Sequence, residues 1–229
     1  MLASWGVEFD PVNTEGNPEA QAELRALGAP RPPAVAFNGR AVHGWNPEGY
    51  AELLGITLPD KVRLSPPELA ARLDRILGNV EALFQRVDAT AFAWTPPERN
   101  RTVGDLGYHA FRVGLSFIDA VDRDELPETW FGERPPADLR DGPALARYGA
   151  LVRARLSGWF AGAAGDEYTR TVHTYYGPQG AHELLERTTW HAGQHLRQLH
   201  DLANRLKITP GEPLTPDLFK DLPIPDSVW

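Results

Sequence analysis

A chain of 229 residues, 42% hydrophobic and 24% charged, has room for one large globular domain or for a small one beside a medium one. Its net charge of −8 argues against nucleic acid as a partner, because such binders present a basic face, and here the arginines are interleaved with acids. With no cysteine, disulfides, thiolate zinc sites and a cysteine nucleophile are excluded, so any metal must be held by histidine and oxygen ligands.

No run of about 18 apolar residues is present, so no membrane-spanning helix is expected. The opening MLASWGVEFD lacks the basic region and apolar core of an export signal, and the expected location is the cytoplasm.

Residues 1–60 differ in pattern from 61–229, which suggests two parts. GVEFDPVNT (6–14) has the composition of a strand, and NPEAQAELRALG (17–28) reads as a helix with Gly28 just past its end. RPPAVAFNGRAVHGW (31–45) predicts a hairpin, with Pro33 before an apolar run and Asn38-Gly39 as the two-residue turn. NPEGYAELLGI (46–56) closes with a short helix, so the expected order is β-α-β-β-α. This stretch resembles the C-terminal three-quarters of a glutaredoxin-like domain of the thioredoxin fold. The resemblance is carried by Gly6-Val7-Glu8-Phe9, by Pro33 at the family's cis-proline position, by Asn38-Gly39 and by Gly44-Trp45. The family's first strand, most of its first helix and its Cys-x-x-Cys motif would all precede Met1. The segment is therefore no complete redox module, and a small α/β appendage that binds, scaffolds or dimerises is the plainer reading. A thioredoxin-type sheet lacking that strand would expose unpaired backbone groups. Either the reading frame extends upstream of Met1, or another element or a second subunit covers the gap.

Residues 57–68 read as a linker into a helix start, with Ser65 as N-cap and prolines in the first turn. A helix is predicted over 66–87, where Leu69, Leu73, Ile76, Val80, Phe84 and Val87 recur at helical spacing. TPPERN then breaks the chain, and Thr102 caps a second helix, 102–123, with the stripe Val103, Leu106, Ala110, Val113 and Phe117. A proline-rich loop, 127–143, leads to a third helix, 143–163. YTRTVHTYYGPQG (168–180) suits a short extended segment, and a fourth helix runs over 179–206. The tail 209–229 is too rich in proline for long regular structure. The expected class is α+β, mainly an α four-helix bundle with a small N-terminal α/β segment.

The fourth helix puts Thr188, His191, His195, Leu199, Leu202 and Leu206 along one stripe, so two histidine rings lie one turn apart on an apolar face. His109, three residues after Leu106, occupies a similar stripe on the second helix. A lone histidine on an apolar face is ordinarily a core residue satisfied by hydrogen bonds, and that reading stands for His109 taken alone. An HxxxH pair asks for more, because two buried imidazoles need several partners or a shared cation. Three neutral imidazoles from two facing helices can occupy one face of a divalent ion and leave a position open for water or substrate. Zinc, nickel, iron and manganese are all admissible. His182 and His200 fall near the opposite side of the fourth helix and read as surface or cap residues, and His43 lies in the N-terminal segment. His173, with Tyr175 and Tyr176, either lines the mouth of such a site or belongs to a packed aromatic connection. Trp190 and Gln194 flank the pair on the helix, with no fixed direction.

Residues 62–229 resemble the DinB/YfiT-like four-helix-bundle superfamily of metalloenzymes in DLGYHAFRV on the second helix, ELLERTTWHAGQHLRQL on the fourth and the ending LPIPDSVW. The resemblance implies a metal triad at His109, His191 and His195. It also implies a divalent metal cofactor, a small-molecule substrate and a low-molecular-weight thiol cosubstrate such as mycothiol or bacillithiol, with the metal stabilising the thiolate for transfer to an electrophile. A non-catalytic metal-binding or stress-response scaffold is the alternative from another class. A third reading is a hydrolase using metal-bound hydroxide, which would recruit a carboxylate base that the sequence does not identify.

Overall fold

Three of the four long helices begin at a residue whose side chain can cap them. In the computed structural model, which describes residues 2, 5–14, 17–30, 32–44, 46–58, 63–97, 100–225 and 228, the elements in chain order are as follows. The N-terminal part holds α1 (Pro18–Ala26), β1 (Ala34–Phe37), β2 (Arg40–His43) and α2 (Pro47–Leu54). Next come α3 (Pro66–Phe84), α4 (Ala89–Ala93), α5 (Val103–Arg123), β3 (Glu125–Leu126) and a 3-10 turn over Glu128–Gly132. Then follow α6 (Gly142–Gly162), a second 3-10 turn over Gly165–Thr169, β4 (Thr171–Thr174), β5 (Gly177–Gly180), α7 (Ala181–Arg205) and α8 (Pro216–Phe219). The expected junction at residue 60, Trp45, and Asp226, Ser227 and Trp229 of the ending lie outside the described residues.

Ser65 and Glu68 form a capping box on α3, in which Ser65 N donates to Glu68 Oε2 at 2.8 Å. Thr102 and Asp105 do the same on α5, with reciprocal bonds of 3.0 and 3.1 Å. Asp141 Oδ1 accepts from Ala144 N at 2.8 Å to start α6. These three helices and α7 form a bundle in which α3 and α5 each pack against both α6 and α7. Leu73, Ile76, Val80, Phe111, Phe117, Leu145, Leu196 and Leu199 are buried at its centre. Close approach depends on Gly107 of α5, where an added Cβ would lie 2.1 Å from Phe84 Cζ. The mainly helical α+β architecture is the one the periodicity predicts.

The differences are local. The first long helix stops at Phe84, short of 87, because Asp88 caps α4 by accepting from Ala91 N at 2.8 Å. The extended segment 168–180 is the β4–β5 hairpin, and β3 joins β4 in parallel, with Glu125 opposite His173. The tail is tied down by side chains: Arg72 Nη1 donates to the carbonyls of Leu218 and Lys220, and Arg75 pairs with Asp217 at 2.8 Å.

In the N-terminal part, the helix expected over 17–28, the hairpin and the closing helix form as α1, β1–β2 and α2, and the turn has Asn38 and Gly39 at φ 49° and 74°. The strand expected over 6–14 does not form. That stretch is irregular and largely exposed, with Gly6 at φ 71° and Pro11 without an N–H, and no strand pairs with it among the described residues. The sheet is a two-stranded β1–β2 hairpin, so the order is α-β-β-α, without the thioredoxin-type sheet that the glutaredoxin resemblance implies. The Pro32–Pro33 bond is cis, at the position that resemblance assigns. Gly44, at φ 84°, lies directly on Tyr176, where a Cβ would fall 2.7 Å from the Tyr176 carbonyl oxygen. The buried Tyr50 hydroxyl donates to the Gly44 carbonyl, so this part is docked on the β4–β5 hairpin. No helix among the described residues is long and apolar enough to cross a membrane.

Candidate metal centre

α5 presents His109 and α7 presents His191 and His195 to the same space. The ring centroids are 5.5 Å apart for His109–His191, 4.8 Å for His109–His195 and 4.6 Å for His191–His195. One nitrogen from each ring lies within 4.8 Å of the other two. Two imidazole nitrogens on one tetrahedral ion, at metal–nitrogen distances of about 2.0–2.1 Å, sit roughly 3.3 Å apart, so modest side-chain rotation would bring these donors to a shared ion. Among the described residues imidazole alone supplies the donors, a set that suits zinc, nickel and iron.

The orientation of each ring can be followed outward. His109, only 5% exposed, hydrogen-bonds the Phe131 backbone, and its Nδ1 is buried with no hydrogen-bond partner. His191 Nδ1 is likewise buried and unpartnered. His195 Nδ1 meets Gln198 Oε1 at 2.9 Å, and Gln198 Nε2 donates to the Val228 carbonyl at 3.0 Å. With its amide nitrogen committed to Val228, Gln198 offers His195 an acceptor, so Nδ1 carries the proton and Nε2 keeps its lone pair. Two orphaned imidazole nitrogens beside a third directed lone pair are costly in a dry protein interior and are what a cation would satisfy.

Burial, chiefly, holds His109 well below the ordinary histidine range, with the charges of His195 and Arg101 acting in the same direction and the Phe131 hydrogen bond opposing. Burial also dominates for His191, reinforced by His195, His109, Arg187 and Arg101. Both rings are therefore neutral at neutral pH, the state a metal ligand requires.

The rings open on a cavity of about 210 Å³ whose remaining lining is Pro96, Asn100, Arg101 and Leu106. No carboxylate lines it among the described residues. Phe131 closes one side, with its ring 6.0 Å from His109 and 6.1 Å from His191. The loop carrying Phe131 is clamped to α5 by Arg112, 7% exposed, which bonds Glu133 at 2.6 and 3.3 Å and Asp119 at 3.1 Å and lies over the Trp130 ring.

The other candidates fall elsewhere. His173 is exposed on β4, and Tyr175 stands one layer out, against Phe131 and hydrogen-bonded to Arg187. His43 belongs to β2. His182 Nε2 bonds the Leu64 carbonyl at 2.8 Å, fixing the start of α3. His200 is on the opposite side of α7, as its spacing requires, but it is 7% exposed and not a surface residue. That side of the helix is covered too, and the burial lowers its pKa. Gln194 faces the tail, donating to the Val228 carbonyl at 2.8 Å, and Trp190 packs beside His191. The sequence reading missed Gln198, Phe131 and Arg101. Only Gln198 carried a signal, three residues beyond His195 on the same helical face.

Compared with known proteins, the chain matches the family model described as the DinB superfamily over residues 72–199, from within α3 to within α7 and across all three histidines. No curated protein and no solved structure matches it.

Proposed function

Because this chain belongs to the DinB superfamily, with more than half its length matched, we propose that His109, His191 and His195 together hold one divalent metal ion in a metal-dependent enzyme acting on a small molecule. The observation that carries this is the convergence of three imidazoles, two with orphaned buried nitrogens, on an open cavity. When bound, the ion supplies Lewis acidity, lowering the pKa of a coordinated thiol or water to near neutrality.

The protein's own residues do the remaining work. Gln198 and the Phe131 backbone keep ring protons off the cavity face of His195 and His109. Pro96, Leu106 and Phe131 limit water around the rings. Transfer of a low-molecular-weight thiol to an electrophile is the reaction class we favour within this reading. The absence of a carboxylate from the described lining speaks against base-assisted hydrolysis, and the open cavity speaks against a sealed scaffold. We further propose that residues 1–60 form an appendage to a bundle domain over 61–229.

The test is a screen of thiols paired with electrophiles, run with zinc-, nickel-, iron- and manganese-loaded protein. Thiol consumption that depends on both the metal and His195 is expected. Metal-loaded protein inert toward every pair, yet hydrolysing esters or amides, would replace transfer with hydrolysis.

A further inference from the structure

Arg101 is the one cation that lines the cavity among the described residues. It sits in the loop before α5, half-buried, and its charge reaches both His109 and His191. Among the described residues its guanidinium makes one hydrogen bond, a long one of 3.4 Å from Nη2 to the Phe131 carbonyl. No carboxylate pairs with it among the described residues. Asp105, one turn into α5, is taken by Thr102 N at 3.1 Å and by Arg134 at 2.6 Å. Arg112, by contrast, is fully occupied by Glu133 and Asp119. The fixed fork of a guanidinium presents five N–H donors, so most of those on Arg101 make no bond to a described residue, in a geometry that matches a carboxylate.

We propose that Arg101 is the specificity residue of this cavity, binding the carboxylate or comparable anionic group of a small substrate whose other end lies at the three histidines. The inference rests on the metal reading for what happens at the histidines, but not for the recognition of the anion. Among the described residues the cavity chemistry is one-sided: three imidazoles, a guanidinium, the Asn100 amide at the exposed rim and the apolar Pro96 and Leu106, with no carboxylate in the lining. An anionic ligand would offset the partial desolvation of this guanidinium. The volume, about 210 Å³, is below the roughly 300–1,000 Å³ of sites for drug-sized ligands, so the anion belongs to a small molecule.

Mercaptoacetate and 2-mercaptoethanol carry the same thiol and differ in the carboxylate, which makes them suitable probes. Their affinities for the zinc-treated full chain, and that of acetate for metal-free protein, would be measured by calorimetry for wild type, R101Q and R101K, with zinc stoichiometry and Tm determined on the same preparations. Wild type is expected to bind mercaptoacetate at least about tenfold more tightly than 2-mercaptoethanol, as one charge-assisted bidentate pair allows. R101Q should erase that preference with zinc content and Tm unchanged, and R101K should restore it in part. A wild type without the preference, or an R101Q protein that keeps it, overturns the proposal. Zinc bound without the preference would defeat this inference and leave the metal reading standing. An Arg101-dependent preference for the acid without zinc uptake would do the reverse.

Discussion

His195 shows how a neighbouring side chain can fix the tautomer of a single ring. Gln198 Oε1 fixes the proton on Nδ1, and Gln198 is itself held by the Val228 carbonyl, so the end of the chain helps set the tautomer of a residue in the centre of α7. Gln198→Leu is expected to lower metal affinity about 10–100-fold, as the loss of such outer hydrogen bonds typically does, while Gln198→Glu, which keeps an acceptor, retains most of it. Chelator competition measures both. The same burial that keeps the rings neutral makes folding pH-dependent. His109, His191 and His200 have folded pKa values below the unfolded value of about 6.5, so the unfolded chain binds more protons in the window between. Their contribution is complete above about pH 6.5 and is lost as pH falls toward the folded values. The metal-free protein should therefore melt at a lower temperature at pH 5.5 than at pH 7.5, with a smaller difference in His191→Leu; equal slopes would contradict this. His191 and His195 were legible in the sequence because i and i+4 must share a face. Arg101 and Phe131 were not, because they reach the cavity from loops whose course depends on tertiary contacts.

Among the elements, α5 carries the most constraint, with nearly every residue buried and glycines where neighbours come closest. An alanine at 107 would put its Cβ 2.1 Å from the Phe84 ring, so the helices must separate or the ring must move. Gly107→Ala is expected to destabilise the fold by about 1–3 kcal/mol despite alanine's better helix propensity, measurable by urea unfolding. The starts of α3 and α5 could be read from Ser65 and Thr102, since a cap is a local signal. The turn over Glu128–Gly132 could not. It sits in a stretch that reads as proline-rich loop and is set in place by Arg112, whose partners Glu133 and Asp119 lie 21 and 7 residues away. The strand expected over 6–14 failed for the complementary reason, since composition alone makes no strand without a partner edge.

On the scale of the whole molecule, the bundle supplies a rigid frame, and its loops and ends complete the cavity. Pro96, Asn100 and Arg101 form its rim, the Arg112-clamped turn closes one side, and the Val228 carbonyl holds Gln198. The N-terminal part reaches the same region indirectly. Gly44 rests on Tyr176, whose ring lies 4.8 Å from the Arg187 guanidinium, and Arg187 in turn lies over Phe131. We propose that three histidines from two helices bind one ion. Metal content by mass spectrometry, after zinc loading and desalting, tests that most directly when wild type is compared with His109→Ala, His191→Ala and His195→Ala, each checked for helicity by circular dichroism. The expected result is about one ion per chain in wild type, and less than about a tenth of that in every variant, with helicity retained because the bundle core is built from the leucine stripes. Full occupancy in the His195→Ala protein, or none in wild type, would contradict it.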